Sequence, residues 1–119
     1  MSRLVGIWDY NVTRNILQWD KNMSVIFGAG NRPIVGSIDM FSELLHPTDK
    51  DRVVGLVMDT INGVNDFYDA IYTVTKQDGS EASVHAWGSM FNHNGDKCLI
   101  GACEDVTDRK KFIEELRRV

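Results

Sequence analysis

Two dipeptides, Asp78-Gly79 and Asn94-Gly95, constrain the fold of this 119-residue chain more than any other feature. Each favours the tight turn whose twist matches an antiparallel hairpin. They separate three segments, residues 67–76, 81–92 and 97–104, that read as successive strands. In the middle one Ala82, Val84, Ala86, Gly88 and Met90 share one face, and Ser83, His85, Trp87, Ser89 and Phe91 share the other. Apolar residues occur on both faces, so both are expected to be covered at least in part.

The first half opens the same way and then changes texture. Residues 4–10 are rich in β-branched and aromatic types, residues 11–15 can turn the chain, and Ile16-Leu17-Gln18-Trp19 returns as a second strand. From Lys21 to Gly63 the pattern is helical. Met23, Ile26 and Phe27 mark a first short helix that Gly28 stops, and Ser37 is placed to cap a second carrying Ile38, Phe41, Leu44 and Leu45. A third begins with Thr48 as N-cap and Asp51 returning the bond. Its expected buried stripe is Val53, Val54, Val57, Met58 and Ile61, with Asn62-Gly63 as the left-handed stop. Thr107 or Asp105 can cap a closing helix in which Phe112, Leu116 and Val119 recur at spacings of four and three. By pattern alone the chain is α+β: one five-stranded antiparallel sheet, short helices on one face and a C-terminal exit helix. Residues 1–106 form the domain, and 107–119 start a coiled-coil linker helix.

Composition excludes several classes. With 43% hydrophobic and 25% charged residues the chain folds around a core, and no apolar run approaches the roughly 20 residues of a membrane-spanning helix. Seventeen acidic against 13 basic residues leave a net charge of −4, which argues against nucleic-acid binding. Cys98 and Cys103 lie on opposite faces of one strand and read as small buried residues of a reducing compartment, so a cytoplasmic location is expected. Nothing at the N-terminus directs export.

Chemistry-bearing motifs are few. His46 sits between a helix end and Pro47-Thr48 and reads as structural; His85 and His93 have no partner at metal-ligand spacing. Gly28-Ala29-Gly30 is a turn, not a phosphate loop. A small isomerase or lyase would need a group such as Tyr72 or Asp69 inside a cavity, and no second catalytic group is positioned beside either.

Fragments spread along nearly the whole chain resemble a known family. They are Gly6-Ile7-Trp8-Asp9-Tyr10, Leu17-Gln18-Trp19, Phe27-Gly28, Leu45-His46-Pro47-Thr48-Asp49, Asp78-Gly79, Asn94-Gly95, and Gly101 through Asp105-Val106-Thr107-Asp108-Arg109-Lys110. In this order they resemble a PAS domain of the tryptophan-rich subclass, a sensory box of bacterial signalling proteins. Asn11 departs from the usual aspartate, and Thr73 from a frequent arginine. The resemblance implies a non-catalytic sensory or dimerisation module of a larger protein, with a histidine kinase or diguanylate cyclase output domain. The alternative is a structural dimerisation module without ligand. Candidate pocket residues are Phe27, Phe41, Met58, Tyr72 and Met90; Asp105, Thr107 and Arg109 are candidates for coupling sheet to helix, Asp105 pairing with Arg109. Phe112, Leu116 and Val119 are the expected homodimer seam. No haem is expected, and residues 21–63 lack the cysteine that a covalent flavin requires.

Overall fold

The computed structural model describes residues 4–117. Strands β1 (Val5–Asn11) and β2 (Ile16–Trp19) form the first hairpin. Helix α1 (Lys21–Ile26), a short strand β3 (Ile34–Gly36), and helices α2 (Ile38–Ser42) and α3 (Pro47–Ile61) follow. Strands β4 (Tyr68–Thr75), β5 (Glu81–His93) and β6 (Asp96–Asp105) lead to the exit helix α4 (Thr107–Arg117). The sheet is wholly antiparallel in the order β3-β2-β1-β6-β5-β4, so the first and last thirds of the chain meet at the β1–β6 ladder.

The sheet has six strands where five were expected. The additional one, β3, is three residues at the sheet edge, paired through Leu17–Gly36 and Trp19–Ile34. Three residues carry no readable alternation, and Pro33 precedes the edge strand, where its missing N–H costs no ladder bond.

Local signals act as their chemistry requires at several ends. Helices α1 and α3 both close with a Schellman motif. Gly63 (φ 80°) lets its own N–H reach the Thr60 carbonyl and the Val64 N–H reach Asp59. Asn94 (φ 51°) and Gly95 (φ 84°) both occupy the left-handed region that the β5–β6 turn needs.

Two caps differ from expectation. His46, not Thr48, caps α3: its Nδ1 accepts from the Thr48 N–H at 3.2 Å, and Pro47 takes the first helical position. Ser37 makes no side-chain cap bond to α2; Asn15 Oδ1 accepts from the Ile38 N–H instead, at 3.2 Å. The α3 stripe is also rotated. Val53, Val57, Thr60 and Ile61 are buried, while Met58 is 46% exposed. Thr60 can replace Met58 inside because its hydroxyl donates to the Leu56 carbonyl at 2.9 Å.

The core lies between the inner sheet face and α1–α3, where Trp8, Leu17, Trp19, Phe27, Val74 and Val84 are buried. The outer face is covered only in part: Cys98 is buried and Ser83 and His85 are half-buried, while Ile7, Ile71, Trp87 and Phe91 remain exposed. The edge strand β4 is protected by α3 and the segment before it. Asp49 Oδ2 accepts from the Thr73 N–H at 2.8 Å, Arg52 donates to the Ile71 carbonyl at 2.8 Å, and His46 N–H donates to the Thr73 carbonyl at 3.0 Å.

Candidate functional site

An inner cavity of about 30 Å³ lies between the sheet and the helices. It is lined by apolar and aromatic residues, among them Trp8, Trp19, Phe41, Val57, Tyr68 and Tyr72. That volume holds a water or two, not an organic ring. The glycines explain why it is small. Gly88 and Gly101 face each other across β5 and β6 on the inner face, and the Trp8 indole fills the space their missing side chains leave. A Cβ at Gly101 would sit 2.5 Å from Trp8 Cζ2. The indole N–H donates to the Ala102 carbonyl on β6 at 3.0 Å, and the ring packs edge-on against Tyr68 at 5.7 Å.

Tyr68 carries the one unusual polar group of this wall. Its hydroxyl is buried and meets no hydrogen-bond partner; Tyr72 stands beside it without satisfying hydrogen-bond geometry. Burial pushes both phenols well above the usual range, so both stay protonated. On the far side of α2 a second, open space of about 550 Å³ runs between α2 and α3. Tyr10, Ile38, Phe41 and Val57 border both spaces. Asp39, Lys50 and Asp51 border only the outer one.

The five candidate pocket residues are distributed unevenly around these spaces. Phe41 and Tyr72 line the inner cavity and pack edge-on at 6.0 Å. Phe27 packs behind Phe41, its ring tilted by 50° at 6.2 Å. Met58 borders the outer groove, and Met90 packs half-buried against the core. Trp8 and Tyr68 were not singled out as pocket residues; the alternation of β1 and β4 places them on this wall, but only the register across β6 shows it. Asp69 lies on the outer face instead, its Oδ1 2.7 Å from His85 Nε2, with a side chain 71% exposed.

At the exit, Asp105 Oδ1 accepts from the Thr107 N–H at 2.9 Å and from its hydroxyl at 2.6 Å. Thr107 Oγ1 in turn accepts from the Ser83 N–H at 2.9 Å, and the Val106 N–H donates to the Ser83 carbonyl at 2.8 Å. The expected Asp105–Arg109 pair does not form. Asp105 is turned back onto Thr107, and Arg109 reaches Glu104 Oε1 at 3.5 Å. Helix α4 buries no residue: Phe112 and Leu116 are exposed, and Val119 lies outside the described residues.

Both cysteines are buried free thiols, on opposite sheet faces. Burial, with Asp105 and Glu104 nearby, pushes the Cys103 thiol up to about 12. Burial likewise raises Cys98, so neither is a reactive thiolate at neutral pH. Among the described residues no group of three or more His, Cys, Asp or Glu is placed to hold a metal ion. None of their helices is long and apolar enough to cross a membrane.

A family model described as "PAS fold" matches residues 16–103. No curated protein matches the chain. Among solved structures, a sensory box histidine kinase/response regulator from Burkholderia thailandensis superposes with a TM-score of 0.73 at 24% identity, covering 97% of this chain and 92% of that one. The N-terminal domain of a diguanylate cyclase with a PAS/PAC sensor from Marinobacter aquaeolei gives 0.74 at 18% identity, over 89% of this chain and 98% of that one. A domain of a light and redox sensing histidine kinase described as putative, from Haloarcula marismortui, gives 0.71 at 14% identity, over 89% and 92%. At such identities the likeness is one of fold.

Proposed function

The chain belongs to the PAS fold family, and on that premise we propose that it is a non-catalytic input domain of a larger bacterial signalling protein. It works in the cytoplasm as a homodimer. Residues 1–106 receive a small molecule or a partner's contact, and the helix from 107 onward carries the change to an output domain. The kinase and cyclase parents of similar folds make a histidine kinase or a diguanylate cyclase the favoured output.

The observation that carries this reading is the exit junction. Helix α4 has no buried residue, yet its first turn is fastened to β5 through Val106, Thr107 and Ser83. A largely charged helix that leaves Phe112 and Leu116 exposed, rooted in a sheet by a specific polar knot, suits transmission better than stability. A change in the spacing of β5 and β6 reaches α4 through Ser83, Asp105 and Thr107. Phe112, Leu116 and Val119 then form the seam with a second copy. The titratable groups that line the cavity are the phenols of Tyr10, Tyr68 and Tyr72, and burial raises all three above the usual range.

The cavity of about 30 Å³ favours a second reading, a dimerisation module that holds nothing. Native mass spectrometry of freshly purified protein separates the two. A small molecule bound in stoichiometric amount supports the sensor; bare chain mass alone supports the module.

A further inference from the structure

One thin element separates the inner cavity from the groove outside it. Helix α2 has five residues and buries a single side chain, Phe41, which borders both spaces. Its C-terminal side is anchored to β4 through the Thr75 N–H to Leu44 carbonyl and His46 N–H to Thr73 carbonyl bonds, each 3.0 Å. Its N-terminal side is held by Asn15 Oδ1, which accepts from the Ile38 N–H at 3.2 Å and from the Tyr10 hydroxyl at 2.9 Å. Asn15 itself sits in the left-handed region at φ 55°. The helix is thus hinged on the β4 side and held on the other by the exposed Asn15 carboxamide and by the β2–β3 ladder that ends at Gly36.

Behind Phe41 the wall is apolar except for the phenols, and the Tyr68 hydroxyl has no partner. Phenylalanine would pack there equally well against Trp8, so the hydroxyl is a donor that the closed domain leaves unused. We infer that the ligand-accepting state is one in which Phe41 withdraws with α2, joining cavity and groove into a chamber for a neutral, flat, apolar molecule whose single hydrogen-bond acceptor takes the Tyr68 proton. The inference rests on the sensory reading and names the ligand class of that site. Size requires the withdrawal, because the closed cavity admits only water. Charge is excluded from the deep end, because Asp39, Lys50 and Asp51 stand only on the outer groove and an ion among the inner residues would be desolvated without a partner. The phenol is a fixed donor, since burial keeps it protonated.

Two probes of one shape test this on the whole chain: acetophenone, with a carbonyl oxygen, and α-methylstyrene, with a methylene in its place. Titrations followed by amide NMR shifts should show acetophenone binding about tenfold more tightly. Tyr68→Phe, which keeps the ring and its packing, should abolish that preference and leave α-methylstyrene unchanged. Phe41→Ala should tighten both probes; Phe41→Leu serves if the alanine variant does not fold. Equal affinities of the two probes for the native chain, or an acetophenone preference that survives Tyr68→Phe, would overturn the assignment. So would no binding of either probe to the native chain and the Phe41 variant. That failure beside a resident small molecule in native mass spectrometry would remove this ligand class and leave the sensory reading intact.

Discussion

The Trp8 indole packs on its ladder partner Gly101, close enough that a Cβ there would stand 2.5 Å from the ring. The same indole reaches one residue along β6 to the Ala102 carbonyl, three residues before Asp105 begins the exit knot. Cavity wall and exit strand therefore share a side chain. Gly101→Ala should force the indole or the strand to shift, at a cost of about 2 kcal/mol. The Trp87 carbonyl on β5 stands closer still, so the indole cannot relieve the clash by moving alone. Denaturant melting reads the loss directly, and an unchanged midpoint would mean that β5 and β6 part without cost.

The unpartnered Tyr68 hydroxyl gives the opposite sign. Removing a buried polar atom with no partner relieves desolvation, so Tyr68→Phe should raise stability by about 1 kcal/mol. A lower melting temperature would show that the hydroxyl is satisfied in solution.

Asp49 should confer acid sensitivity on the edge of the sheet. The Thr73 N–H, and after it Arg52 and His46, hold its carboxyl below the usual carboxylate range. A depressed folded-state pKa contributes stability that is present above the unfolded value of roughly 3.9 and lost as pH falls through the folded one. Asp49→Asn keeps an acceptor but cannot titrate. The variant should therefore lose less stability than the native chain between pH 5 and pH 2, followed by thermal melting across that interval.

Thr107 is the knot between β5 and α4. Thr107→Val keeps the shape and removes the hydroxyl, which should cost about 1 kcal/mol locally. Amide exchange should quicken at Ser83 and through the first turn of α4 while β1 and β2 stay protected. Uniformly faster exchange would show global destabilisation instead of a loosened junction.

The hairpin half of the fold was legible because its information is local. Asn94-Gly95 takes the left-handed turn its residue types favour, whereas at Asp78-Gly79 only the glycine does. The alternation from Ala82 to Phe91 assigns faces without reference to the rest of the chain. Features that depend on distant segments were not. The Asp49–Thr73 bond spans 24 residues, and β3 exists because β2 offers it an edge. Alternation places Gly88 and Gly101 on one face, but only the β1–β6 register shows that Trp8 occupies the room they leave. The exit motif was legible as a motif and misread in its pairing, because Asp105 can turn back to Thr107 as easily as forward to Arg109.

The central claim is that α4 is a transmitting seam, and the most direct measurement is the assembly state of the chain carried past Val119. Sedimentation velocity should show a dimer for the native sequence and a monomer once Phe112 and Leu116 are both replaced by serine. The fold of residues 4–106 should be unchanged in that variant, because neither side chain is buried in the domain. A dimer that survives both substitutions would place the interface elsewhere and contradict the account.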